Sequence, residues 1–485
     1  MINAPPLKGQ RVLLRGFELE REQPAKALLA EHGFQIVSSI ALADALVVGS
    51  GLVTQASEAA KKSKIAVFQW DELRARLGTK LTPRAHAPMP CRSAVEVGTD
   101  HVRILDQTLP RTGARSPLVP PAEHFQHLCL DGCFMRNARA VAMGIRNRLP
   151  VALEGDTAAS KTTAIHWLAH LLGHPVVRLN LHGQTDSGEL LGRYVPRDSE
   201  DRADDPATRR ALAGSRLELS RGESRSWNKH EEGIPVGRGR GSAWHFQEGQ
   251  IPQAMRQGWW VVLDEVNLAE PQVLERLNPI IEQPSSLILT EGSGTIFGAG
   301  GIPISPGFHM FASMNPAEYA GRSVLSPAFR DRWLIWHQAE SPGEAELLAM
   351  LRFLVSGEHP EFAFNGVCYQ APDGRPVYPA LAGCGKILEL LPRLATFHSS
   401  LCEATRSGGI SASLGRLRRE RYVFTRRTLL TCLQLLSRAR TEDPVEAPEA
   451  QLRKIIEIIY IGRMRDGSDR SAAISMLRAS GLVEG

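Results

Sequence analysis

Residues 153–163 read LEGDTAASKTT, and their types and spacing suit one chemistry, the holding of phosphate groups. Gly155, Lys161 and Thr162 stand where a GxxxxGK[ST] loop places its first glycine, its lysine and its hydroxyl. Ser160 takes the place of the second glycine. In such a loop the backbone N–H groups and the following helix N-terminus cradle phosphate oxygens. The lysine adds positive charge and the hydroxyl is a Mg²⁺ ligand. The candidate binding residues are therefore Gly155, Asp156, Thr157, Ala158, Ala159, Ser160, Lys161, Thr162 and Thr163. Serine is small enough to stand in for glycine while the backbone does most of the cradling.

Further along, WWVVLDE (259–265) is an apolar run that ends in two carboxylates. Acids at a strand's C-terminal end face the edge where open α/β sheets bind ligands. Asp264 is the candidate to hold Mg²⁺ together with Thr162, and Glu265 to polarise an attacking water. A second apolar run, FHMFASMNP (308–316), ends in Asn315. Asn315 would orient that water if its strand lies between those ending at Gly155 and Asp264. RSVLSPAFRDRW (322–333) then offers Arg330 and Arg332, either of which can neutralise charge on a phosphoryl group of a neighbouring subunit. Each feature alone has an ordinary reading: solvated acids, an Asn-Pro turn, surface arginines. Their order in one chain points to nucleoside triphosphate hydrolysis.

With these motifs in place the sequence resembles an AAA+ ATPase of the MoxR, midasin and dynein-related branch, from about 121 to the C-terminus. The resemblance is carried by LNLHGQTDSGELLG (179–192), by the stretch from FQEGQIPQAM to LDEVNLAEP, and by FASMNPAEYAGRSVLSPAFRDRW. It implies ATP and Mg²⁺, a hexameric ring with nucleotide at subunit interfaces, and remodelling of a protein client. It also implies a helical lid whose arginine touches the γ-phosphate from within the subunit. Arg427, in FTRRTLLTCLQLL (424–436), matches that position, with Arg426 as the alternative. For the arginine that bridges subunits, Arg332 is favoured over Arg330. Such proteins often work with a von Willebrand A domain; this chain has no DxSxS motif, so that domain would sit on a separate polypeptide. Two other functions stay open: a DNA-directed ATPase factor, and a nucleotide-gated scaffold with little hydrolysis.

The elements that must position these residues read as an α/β fold. An AAA+ P-loop core with a parallel sheet is followed by a C-terminal helical lid and preceded by a small α/β domain. Residues 8–77 alternate short apolar runs with helical patterns and resemble a BRCT domain on Gly16, Gly33 and Trp70. Arg15 stands where phosphopeptide-binding members carry Ser or Thr, and KKSK (61–64) adds charge. Protein docking, a phosphorylated ligand or DNA are the partners this domain suggests. The expected domains are 1–78 BRCT-like, 79–120 a Pro/Arg-rich linker, 121–338 the core with an insertion at 195–242, and 339–485 the lid with a loop insertion near 357–384.

Bulk properties bound these readings. A chain of 485 residues exceeds one ordinary core. Hydrophobic content of 43% and charged content of 22% are those of globular protein. The net charge of +5 does not by itself argue for nucleic acid. The sequence lacks a long apolar run and a signal-like start, which predicts a cytoplasmic protein without membrane contact. Seven scattered cysteines predict reduced thiols. His124, His127, Cys129 and Cys133 cluster at a spacing that matches no common zinc pattern. His166, His170 and His174 recur at helical spacing, which suits packing. GRGRG (237–241) is either a substrate-contacting loop or solvated filler.

Overall fold

The computed structural model describes residues 91–196, 244–292, 294–317, 322–405, 414–415 and 422–482, with residues 11–15, 29, 35–36, 45–48 and 66–69. The chain divides into two compact units, Met1–Met89 and Pro90–Gly485. In the first, β1 (Arg11–Arg15), β2 (Gln35–Ile36), β3 (Ala45–Val48) and β4 (Ala66–Gln69) form a parallel sheet ordered β2-β1-β3-β4. Parallel neighbours require crossover connections, in keeping with the alternating apolar and helical segments of 8–77. Gly16, Gly33, Trp70 and the KKSK run lie outside the described residues.

The second unit is built on a five-stranded parallel sheet of β9 (Val151–Gly155), β10 (Val176–Asn180), β13 (Trp260–Asp264), β16 (His309–Met314) and β17 (Ile335–Ala339). Its order is β10-β13-β16-β9-β17. Every residue of β13 and β16 is buried, as expected of central parallel strands covered on both faces. Successive side chains alternate between two cores. Leu153, Trp260, Val262 and Phe311 pack with α1 (Gly132–Asn147) and α2 (Lys161–Leu172). Ala152, Val261, Leu263, Met310 and Ala312 face the other way. There they meet the short helices α3 (Ser187–Leu191), α4 (Gln250–Gln257), α5 (Pro271–Glu275), α6 (Asn278–Ile281) and α7 (Pro327–Asp331). A third core, including Leu351, Leu391, Phe397, Leu433, Ile456 and Tyr460, joins the lid helices. These are α8 (Glu344–Ser356), α9 (Pro379–Ala382), α10 (Gly385–Thr405), α11 (Arg426–Glu442), α12 (Pro448–Ile459) and α13 (Gly467–Ala479).

Two stretches depart from the sequence expectation. Residues 91–110, read as linker, form β5 (Arg92–Ser93) and the antiparallel sheet β6 (Val95–Val97), β7 (His101–Ile104) and β8 (Gln107–Pro110). Val102, Ile104 and Leu109 are fully buried in the core of α1 and α2. Residues 357–384, read as a loop insertion, contain the hairpin β18 (Glu361–Phe364) and β19 (Val367–Gln370), and β19 pairs with β5. Cys91 and Cys368 form a disulfide there, which corrects the expectation of reduced thiols for this pair; Cys129, Cys133, Cys384, Cys402 and Cys432 are not disulfide-bonded. The two partners lie 277 residues apart, so no sequence spacing marks them.

Of the insertion at 195–242, the described residues show only its base. There β11 (Gly192–Pro196) pairs antiparallel with β12 (Trp244–Glu248); GRGRG lies outside them. Another short hairpin, β14 (Leu287–Ile288) and β15 (Ile296–Phe297), completes the unit. Among the described residues only Cys91, Glu361 and Cys368 bring three ligating atoms together, and the disulfide engages two of them. His166, His170 and His174 each donate a ring N–H to a backbone carbonyl. No helix of the described residues is long and apolar enough to cross a membrane.

Candidate functional site

β9 delivers the chain to Gly155, where a Cβ would lie 2.3 Å from the carbonyl oxygen of Ala339 on β17. Only glycine permits this approach of loop to neighbouring strand. Beyond it, Ala158 (φ 65°) and Ser160 (φ 60°) hold left-handed backbone angles. Serine at 160 thus occupies a backbone conformation that glycine adopts readily, at an energetic cost. Side chains from other elements fix the path of the loop. Asn137 of α1 donates Nδ2 to the Ala159 carbonyl at 2.8 Å, and its Oδ1 accepts from His337 at 3.0 Å. Ser341 Oγ donates to Asp156 Oδ2 at 2.6 Å. Helix α2 then starts at Lys161 with no side-chain cap, leaving its first N–H groups directed at the loop.

β16 lies between β13 and β9, the order that the role of Asn315 requires. The ends of these strands bring Lys161, Thr162, Asp264, Glu265 and Asn315 together. Lys161 is buried, and its Nζ donates to the carbonyls of Gly155 (2.7 Å) and Asp156 (2.8 Å) and to Asn315 Oδ1 (2.9 Å). Burial pushes its pKa down to about 8 against the opposing pull of Glu265, Asp264 and Asp156. Asn315 continues the chain by donating Nδ2 to Glu265 Oε1 at 2.8 Å. Thr162 Oγ1 lies 3.3 Å from Asp264 Oδ1 and 3.2 Å from Ser313 Oγ, and Ser313 also donates to Asp264. Hydroxyl and carboxylate oxygens are the hard donors that Mg²⁺ prefers, so the residues fit that ion.

Ser313 escaped the sequence reading, as did three further neighbours. Arg178 of β10 donates Nε to Asp264 Oδ2 at 2.8 Å, and its Nη2 reaches the same oxygen. Arg322 donates Nη2 to Glu265 Oε2 at 2.6 Å. Asn267 Nδ2 donates to the Asn315 carbonyl at 2.8 Å and fixes the strand end from below. A polar side chain inside the run VVRLN, and the arginine that opens RSVLSP, were the available signals.

The remaining candidates lie apart from this cluster. Arg332 donates Nε to Glu282 at 2.7 Å, and Arg330 sits over the Trp336 ring at 4.4 Å with Glu154 beside it. Arg427 is exposed. Its neighbour Arg426, the alternative, is buried and pairs with Asp131, the N-cap of α1. Arg426 also lines a cavity of about 480 Å³ between the loop residues 156–158 and the lid, with Ser341, His398 and Phe424. Of the two, Arg426 lines the cavity beside the loop and Arg427 is exposed.

Residues 150–333 match the family model described as AAA domain (dynein-related subfamily). Midasin of Dictyostelium discoideum is 32% identical over 241 residues, which is 49% of this chain and 3% of that protein. Midasin of Giardia intestinalis is 30% identical over 196 residues, 40% of this chain and 3% of that protein. Protein NorQ of Paracoccus denitrificans is 25% identical over 188 residues, 39% of this chain and 52% of that protein. The chain thus spans about half the length of NorQ and a small fraction of the midasins. The match begins just before β9 and ends at Trp333, so it encloses the loop, both acids, Asn315 and Arg332. Residues 150–333 are thus similar in sequence to AAA domains of the dynein-related subfamily.

Proposed function

We propose that the chain is a Mg²⁺-dependent ATPase that works as an oligomeric, hexameric ring and remodels a protein client. The observation that carries this reading is the continuous hydrogen-bonded path from Lys161 through Asn315 to Glu265, set between the phosphate-type loop and Asp264. The loop N–H groups and Lys161 bind the β- and γ-phosphates of ATP, and Lys161 exchanges its carbonyl partners for phosphate oxygens. Thr162 and Asp264 would hold Mg²⁺, which supplies charge neutralisation at the phosphates when bound. Asn315 orients the attacking water, and Glu265 takes its proton once released from Arg322. Arg332 acts on the site of the neighbouring subunit, and Arg426 or Arg427 links the phosphates to the lid. Each cycle moves lid against core and transmits force to the client. The N-terminal unit is a BRCT-like module that docks a protein or a phosphorylated ligand, and a von Willebrand A domain on another polypeptide is a fitting partner. The parallel strand order β2-β1-β3-β4 of the N-terminal unit supports the BRCT-like reading.

Equilibrium binding of ATP and steady-state hydrolysis, measured side by side, test this function. Lys161→Ala is expected to lose binding, whereas Glu265→Gln keeps binding and loses turnover by at least about a hundredfold. Normal hydrolysis by the Glu265→Gln protein would remove Glu265 from its role.

A further inference from the structure

The carboxylate of Asp264 is saturated by groups of its own chain. Oδ1 accepts from Thr162 Oγ1, from Ser313 Oγ and from the Glu265 N–H at 3.2 Å. Oδ2 accepts both Nε and Nη2 of Arg178. The two partners differ in freedom: the Asp264 side chain is 10% exposed, that of Arg178 53% exposed. β10 and β13 run parallel with Asn180 beside Asp264, so Arg178 reaches forward along the sheet edge to the acid. Its guanidinium can leave without opening the core.

Resting on the nucleotide reading above, we propose that Arg178 is a placeholder cation at Asp264. It holds the carboxylate oxygen that a divalent ion needs, and it moves to the polyphosphate when nucleotide enters. A guanidinium and a divalent ion on neighbouring sides of one largely buried carboxylate repel each other. Metal binding at Asp264 therefore requires the guanidinium to find another anion. The planar fork of arginine suits carboxylate and phosphate equally, which lets one side chain serve both positions. Ion binding thereby becomes conditional on nucleotide. Arg178 is a positioning residue that sets the order in which ion and nucleotide assemble on the site.

The test is Mn²⁺ binding to the full chain, followed by electron paramagnetic resonance of the free ion, with and without ADP. Wild type is expected to bind Mn²⁺ weakly alone and tightly with ADP. Arg178→Gln is expected to bind Mn²⁺ alone at least about tenfold more tightly than wild type, the worth of a charge-assisted hydrogen-bonded pair. Arg178→Lys, which keeps charge without the fork, should lie between the two. Equal Mn²⁺ affinity of wild type and Arg178→Gln without nucleotide overturns the proposal. Should the glutamine variant not fold, Arg178→Lys decides the matter, and wild-type affinity there overturns it equally. Failure of ADP to bind wild type at all would instead sink the nucleotide reading itself, so the two failures are told apart.

Discussion

Three non-glycine residues at the site, Ala158, Ser160 and Glu265, hold left-handed backbone angles. Each costs about 1–2 kcal/mol relative to a relaxed residue, and such strain concentrates at functional sites when the surroundings enforce it. Asn137 and Ser341 supply that enforcement for the loop. Ser160→Gly should therefore stabilise the chain against urea by on the order of 1 kcal/mol while nucleotide affinity stays level. A loss of stability would mean that the serine side chain contributes more than its backbone costs. At this scale the sequence was informative where a residue type is rare in its setting. A lysine and threonine after a glycine-led turn, and acids closing an apolar strand, announce themselves. Arg178 and Arg322 do not, because an arginine near a strand end or in a polar loop looks like any solvated arginine until the acid beside it is seen. Arg427 and Arg426 were separable only by burial, since adjacent helix residues point about 100° apart.

The central strands were legible because β13 and β16 are buried on both faces and read as unbroken apolar runs. The sheet of 91–110 was not: its strands span only three or four residues each, too few for a period of two to stand out among polar residues. Its pairing with the 361–370 hairpin is a tertiary matter beyond any local pattern. Lid and core meet at the buried pair of Arg426 and Asp131. Asp131→Ala would leave the guanidinium without its counter-charge and remove the N-cap of α1, so a loss of about 3–5 kcal/mol in unfolding free energy is expected. A loss within experimental error would show that the pair is dispensable. Inside the lid, His398 meets the Tyr460 hydroxyl at 2.8 Å, and burial pushes its pKa from 6.5 down to about 4. The folded-state value is depressed, so the unfolded chain takes up the proton first. Stability is full above pH 6.5 and falls as pH drops toward 4, by about 1.4 kcal/mol per pH unit for each such histidine. Buried His309 and His359, also near 4, add to the slope. Denaturation midpoints followed from pH 7 to 4 should show this decline, shallower in His398→Gln; parallel profiles would contradict the assignment.

For the whole molecule, the proposed ring assembly and client would be matters of surface, where sequence pattern is weakest because a contact residue and a solvated one obey the same rules. What the structure offers is the placement of Arg330 and Arg332 around α7, held by Trp336 and Glu282. If Arg332 acts on a neighbour, Arg332→Ala subunits mixed with wild type should depress turnover below the weighted average of the two; simple averaging would return Arg332 to a local structural role. The most direct test of the account is ATP hydrolysis per subunit by the full chain across a wide range of protein concentration, with Glu265→Gln as the blank. For a ring with shared sites the per-subunit rate rises with concentration to a plateau and is absent from the blank. No turnover above the blank at any concentration would contradict it.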